Sequence, residues 1–233
     1  KSIFILMRNS IDRDILNAID KVTSCLKFEK KLTVHEPYFA DTKSWEYVKD
    51  CLDSGWVSSA GDWIVRFEDA LCRYTKSRYA IAVTNGTVAL RLALAIIGVK
   101  NNDEVILPPL SFVATANAIS HLGAIPNFVD IEKNTLGICP YKLSDYLSKI
   151  AYKKGNKIFN KQTGRKISAI VPVHVFGYPA DLPKLKQVAD EWGIPIIEDA
   201  AEALGSWIEV GEKKTHCGLF GDIGILSFNA NKV

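Results

Sequence analysis

Hydrophobic and polar positions along this chain follow two rhythms, and the switches between them predict its elements. Ile11, Ile15, Ile19, Val22 and Leu26 recur at helical spacing, which predicts an amphipathic helix over residues 10–26 that packs on its own domain or on a dimer mate. Further helices are predicted over Asp41–Asp53, ending in the Ser54-Gly55 turn, and over Asp62–Tyr74 after the break at Gly61. Beyond this point short β-branched runs alternate with helical stretches. Strands are predicted at Tyr79–Val83, Glu104–Leu107, Ile125–Val129, Ala169–Val173, Ile194–Glu198 and Ile223–Phe228. Helices are predicted at Thr87–Ile97, Ser111–Leu122, Tyr141–Ile150 and Ala180–Trp192. Such alternation predicts an α/β fold with a mostly parallel sheet and helices on both faces. The polar segment Lys153–Lys166 reads as the one long loop, lying between a helix and a strand where insertions are tolerated.

Composition narrows the classes. The chain has 233 residues, enough for one large domain or two small ones, and its 48% hydrophobic and 24% charged residues match an ordinary globular protein. Its net charge of +3 comes from 29 basic and 26 acidic residues mixed along the sequence, so no electrostatic surplus for gripping nucleic acid is expected. The opening apolar run ends at Arg8 without a cleavage-site pattern, and no stretch approaches the roughly 20 apolar residues of a membrane span, so neither a signal peptide nor a membrane segment is expected. The five cysteines, Cys25, Cys51, Cys72, Cys139 and Cys217, are odd in number and free of C-x-x-C pairs; they read as reduced thiols of a cytoplasmic protein. His35, His121, His174 and His216 show no metal-ligand spacing. Beginning on Lys rather than Met, the sequence reads as trimmed at its front.

Ligands of open α/β sheets gather at the carboxyl ends of strands, and three such places carry useful chemistry. Thr84-Asn85-Gly86-Thr87 follows a predicted strand and opens a helix, so its free amides and the Thr87 hydroxyl could hold a phosphate; the same residues also serve as ordinary helix caps. Neither G-x-G-x-x-G nor a P-loop is present. Glu198-Asp199-Ala200-Ala201-Glu202 ends an apolar strand with carboxylates that could pair with a cationic ring nitrogen, bind Mg²⁺, act as a base or cap a helix. Ser227-Phe228-Asn229-Ala230-Asn231-Lys232 places a hydroxyl five residues before a lysine, which could bond a carbonyl or simply lie on the surface.

Taken together and in this order, the three segments resemble the DegT family of nucleotide-sugar aminotransferases, with its N-G-T turn, E-D-A-x-[QE] segment and S-F-x-x-x-K. The resemblance spans about residues 33–233 and includes His35-Glu36-Pro37, Gly55-Trp56-Val57-Ser58-Ser59, the stretch PPLSFVATAN from Pro108 to Asn117, and Pro172-Val173-His174-Val175-Phe176-Gly177. The polar stretch ending in Thr163-Gly164-Arg165 and the helix before His35 resemble the branch that makes 4-amino sugars of the legionaminic-acid type.

The resemblance implies an aspartate-aminotransferase-like (fold type I) large domain binding pyridoxal 5'-phosphate over residues 33–233, preceded by a helical extension over residues 1–32. It implies that Lys232 is the Schiff-base lysine and proton shuttle, that Asp199 binds the pyridine nitrogen, and that Phe112 stacks on the ring. Gly86, Thr87 and Ser227 would hold the cofactor phosphate, and Glu202 stands where the family often has Gln near the ring hydroxyl. His174 falls in a family motif and also fits a core histidine. The implied partners are glutamate as donor, a nucleotide-linked 4-keto-sugar as acceptor, and a second copy in a homodimer. Family members continue past the lysine into a smaller domain, whereas this sequence stops at Val233, which leaves a binding or regulatory protein without turnover as a rival reading. Sugar dehydratases on the same scaffold replace the lysine with histidine, and Lys232 argues against that activity.

Overall fold

The computed structural model describes residues 13, 14, 17, 18, 20, 21, 39, 42–229 and 232. The chain divides into two compact units, Lys1–Pro37 and Tyr38–Val233. In the first, the six described residues are helical. Ile11, Ile15, Ile19, Val22 and Leu26, on which the helix over 10–26 was predicted, lie outside the described residues.

The second unit opens with α1 (Ser44–Ser54) and α2 (Asp62–Thr75). Gly55 ends α1 at φ 75°, a left-handed cap that glycine adopts without steric penalty. There follow α3 (Gly86–Ile96), β1 (Glu104–Leu107), α4 (Val113–Ser120), β2 (Ile125–Phe128) and α5 (Pro140–Ile150). The hairpin β3 (Ala151–Lys154) and β4 (Lys157–Asn160) leads into β5 (Lys166–Ile170), α6 (Leu182–Trp192), β6 (Ile197–Asp199), a second hairpin of β7 (Trp207–Val210) and β8 (Lys213–His216), and β9 (Ile223–Ile225).

A parallel run forms the centre: β2 and β5 flank β1, and β6 pairs with β9 in parallel. Isolated parallel bridges Ile170↔Ile196 and Val173↔Asp199 tie β6 to the chain emerging from β5. Side-chain alternation explains the two-sided core. Ile106, Ile170 and Ile196 face a cluster with Leu143 and Leu147 of α5 and Leu182 and Leu185 of α6. Their neighbours Val105, Leu107, Ala169, Val171 and Ile197 face Leu90 and Leu94 of α3 and Ala118 and Ile119 of α4. At about 25 cal/mol per Å² of apolar surface, each of these fully buried Leu and Ile side chains contributes roughly 2–3 kcal/mol.

Two expectations need correction. The segment Lys153–Lys166 is not a loop: β3 and β4 pair antiparallel, and β4 pairs antiparallel with the start of β5, which adds an antiparallel edge to the expected mostly parallel sheet. Lysines hid its pattern. Ile158 and Ala151 are buried, while the exposed Lys153 carries its ammonium to the Glu191 carbonyl at 2.7 Å. The second correction concerns Tyr79–Val83, which is not a ladder strand; among the described residues it meets no neighbouring strand, and Tyr79 and Ile81 are exposed. Smaller shifts move the predicted strand at 169–173 back to β5, and shorten those at 194–198 and 223–228 to β6 and β9. No helix among the described residues is long and apolar enough to cross a membrane.

Candidate active site

A cavity of about 770 Å³ opens at the C-terminal ends of β6 and β9, and its wall includes Gly86, Thr87, Phe112, Asp199, Glu202, Ser227 and Lys232. All seven residues singled out from the sequence therefore face one space. Parallel strands with loops leaving in one direction concentrate side chains in this way.

The first wall is the N-terminus of α3. Asn85 caps it, its side chain accepting from the Val88 amide at 3.0 Å, while the amides of Gly86 and Thr87 meet no protein acceptor among the described residues. The capped amide and the two amides without a protein acceptor are thus different groups of one turn. Ser227 lies against the same turn: a Cβ placed on Gly86 would stand 3.2 Å from the Ser227 hydroxyl. A side chain at position 86 would press on Ser227, which borders the same amides.

Asp199 forms the second wall. It ends β6 only 7% exposed, its Oδ2 accepts from the Thr115 hydroxyl of α4 at 2.6 Å, and its Oδ1 accepts from the Ala201 amide at 3.3 Å. Burial raises its pKa, while the Thr115 and Ala201 hydrogen bonds and the charge of Lys232 pull it down. A carboxylate held in this state gains from a further cation in the cavity. Thr115 was not singled out from the sequence, although it lies within the PPLSFVATAN stretch.

Glu198 and Asp199 are neighbours with opposite fates, because successive strand residues point to opposite faces. Glu198 is fully buried; Oε1 accepts from the Phe220 and Gly221 amides at 2.6 and 2.7 Å, and Oε2 from the Gly218 amide at 2.7 Å and the His174 ring at 3.0 Å. The Nδ1 of His174 accepts from the Ala180 amide at 3.1 Å, so Nε2 carries the hydrogen that it donates to Glu198. His174 is a satisfied core histidine at the cavity wall. Its neighbour His216 is also fully buried, Nε2 accepting from Gly205 at 3.0 Å, and burial lowers its pKa.

Phe112 is 71% exposed on the cavity wall, which rules out a core role for it. Glu202 and Lys232 are half-buried. Cys217, on the same wall, is inert: burial, helped by the charge of Glu198, pushes its thiol up to about 12. Iodoacetamide at neutral pH is therefore expected to spare Cys217 in the native protein and label it after denaturation, as peptide mass mapping would show; labelling of the native protein at the rate of half-buried Cys51 would contradict this. Among the described residues no cluster of His, Cys, Asp and Glu could hold a metal ion.

Comparison with solved structures defines the class: this unit has the large-domain fold of the fold type I aminotransferases. The structure of DesI with its TDP-sugar product superposes with a TM-score of 0.71 at 31% identity, covering 88% of this chain and 47% of that one. The pyridoxal-phosphate form of the sugar aminotransferase Spr1654 from Streptococcus pneumoniae does so at 0.71 and 27% identity, covering 87% of this chain and 50% of that one. Residues 40–233 match the model of the DegT/DnrJ/EryC1/StrS aminotransferase family, and the chain belongs to that family. GDP-perosamine synthase of Vibrio cholerae is 40% identical over 201 residues, 86% of this chain and 49% of the relative, and that of Escherichia coli O157:H7 is 39% identical over 203 residues, 87% and 50%. The chain thus spans about half the length of the curated relatives it matches. These names do not favour the legionaminic-acid branch. One of the two features that suggested that branch, the polar stretch, is the β3–β4 edge hairpin and its lead into β5, which contributes nothing to the cavity wall.

Proposed function

We propose that this chain carries the cofactor-binding half of an aminotransferase that moves an amino group from glutamate to the 4-keto carbon of a nucleotide-linked deoxy-sugar, with pyridoxal phosphate anchored on Lys232. The observation carrying this reading is the convergence on one cavity of a buried carboxylate, a lysine, and unpaired helix amides beside a serine hydroxyl. The relatives named GDP-perosamine synthase favour a GDP-linked acceptor.

The walls fit the cofactor in charge and in shape. Gly86 and Thr87 amides with the Ser227 hydroxyl hold the phosphate, since a Cβ at position 86 would crowd Ser227. Asp199 takes the pyridine nitrogen, and a protonated nitrogen supplies the cation that offsets the burial of its carboxylate. Phe112 would cover one face of the ring, and Glu202, on the same wall, would serve its hydroxyl. Bound pyridoxal phosphate supplies a carbonyl carbon that exchanges amines and a ring that withdraws electrons from it. Lys232 would be the residue that anchors the cofactor through that carbon, and its Nζ, once free, would be the group placed to move a proton at the reacting centre. A dimer of this chain, in the cytoplasm, completes the reading.

Reconstitution with pyridoxal phosphate followed by borohydride reduction and peptide mapping tests the assignment. The reduced cofactor is expected on Lys232, the long-wavelength band is expected to bleach on adding glutamate, and Lys232→Ala is expected to abolish both. Label on another lysine, or a band indifferent to Lys232→Ala, would overturn it.

A further inference from the structure

The turn Val175–Tyr178 breaks a local rule beside the cavity. The Tyr178 amide donates to the Val175 carbonyl at 2.9 Å, and both central residues have positive φ, 53° at Phe176 and 76° at Gly177. With ψ 29° at Phe176 this is the geometry of a type I′ turn, whose first central position favours Asn, Asp or Gly and strains a bulky L-residue. The surroundings impose it. His174, one residue before, is fixed by Glu198 and Ala180; the Gly177 carbonyl accepts from Ser206 Oγ at 2.6 Å; and a Cβ on Gly177 would come within 2.6 Å of the Glu202 carbonyl. Gly177 is therefore obligatory, and Phe176 is the one residue of the turn whose identity works against its conformation.

Packing does not compensate for this strain. Phe176 is 82% exposed and belongs to neither core cluster, yet it lines the cavity shared by Asp199, Glu202 and Lys232. A strained, solvated aromatic ring at the mouth of a site marks a constraint other than folding. Aromatic rings pack on the C–H faces of sugar rings, burying apolar surface without competing for their hydroxyls. We infer that Phe176 is a specificity-determining residue whose ring receives the C–H face of the sugar in the nucleotide-linked substrate, while the amino-acid donor does not need it. The inference rests on the aminotransferase reading above.

The test uses the cofactor-loaded protein and two amino donors, glutamate and GDP-perosamine, each followed by bleaching of the cofactor band. Phe176→Asn, which suits the turn but removes the ring, is expected to leave the glutamate reaction unchanged and to raise the GDP-perosamine concentration for half-saturation about tenfold, a range that fits the loss of one aromatic contact. Phe176→Tyr restores it. In the cofactor-free protein Phe176→Asn is expected to raise the melting temperature, because the strain goes and little packing is lost. A lowered melting temperature, equal effects on both donors, no effect on either, or conversion of a dimer to a monomer would overturn the inference, as would a wild-type protein that answers glutamate but not GDP-perosamine. A wild type that answers neither donor instead sinks the aminotransferase reading itself.

Discussion

Replacing Asp199 with Asn is expected to lower transamination by about 10²–10³-fold while leaving the cofactor-free protein as stable as the wild type or more so near neutral pH. The two halves of this expectation share one cause. Burial raises the Asp199 pKa, so in the empty fold the ionised carboxylate is disfavoured relative to the unfolded chain. Its contribution is therefore destabilising above the ordinary carboxylate range and vanishes in acid, where folded and unfolded chains are both protonated. Asn removes that penalty, and the Thr115 hydroxyl can turn to match the amide. On the proposed reading the sign would reverse with cofactor bound, because a ring cation would make the carboxylate favourable and Asn would not keep the ring protonated. Melting curves of the cofactor-free pair across pH, and single-turnover rates with glutamate, measure the two halves. An Asn variant with full activity would remove Asp199 from the mechanism.

Glu198→Ala is expected to destabilise the fold by roughly 3–5 kcal/mol, a large share of the 5–15 kcal/mol typical of a domain. The side chain is fully buried and takes hydrogen bonds from the amides of Gly218, Phe220 and Gly221 and from His174, and its removal leaves four donors without an acceptor. The loop it holds cannot drift to another partner. Gly224 packs so close that a Cβ there would meet the Gly218 carbonyl at 2.0 Å. Glu198→Gln, which sets an amide donor against one pair of these N–H groups, is expected to fall between wild type and Ala. Urea denaturation of the three proteins checks the order, and an Ala variant within about 1 kcal/mol of wild type would show that water replaces the carboxylate.

Legibility from sequence depended on whether a signal was local. Helix positions followed from periodicity, as at α5, where Leu143, Leu147 and Ile150 are all buried at helical spacing. The β3–β4 hairpin was missed because its lysines read as solvent-facing polarity and neither short strand alternates apolar and polar residues, although Gly155-Asn156 is a turn signal between them. Tyr79–Val83 has the composition of a strand, but a ladder needs a neighbour, which no local pattern supplies.

The sequence by itself determined the alternation of strands and helices, and hence that Gly86, Asp199 and Ser227 would each follow a strand or extended run and collect at one end of the sheet. Order along the chain fixes this, because parallel strands joined by helices leave their loops on the same side. Tertiary structure alone decided that Asp199 faces the cavity with Thr115 as its partner, while Glu198 turns away to bind a loop some twenty residues later. It alone showed that His174 is fixed in the core and that Phe176 is held strained in the open. These outcomes depend on which distant groups arrive beside each residue, and long-range contact is the information that the spacing of residues in a single chain does not carry.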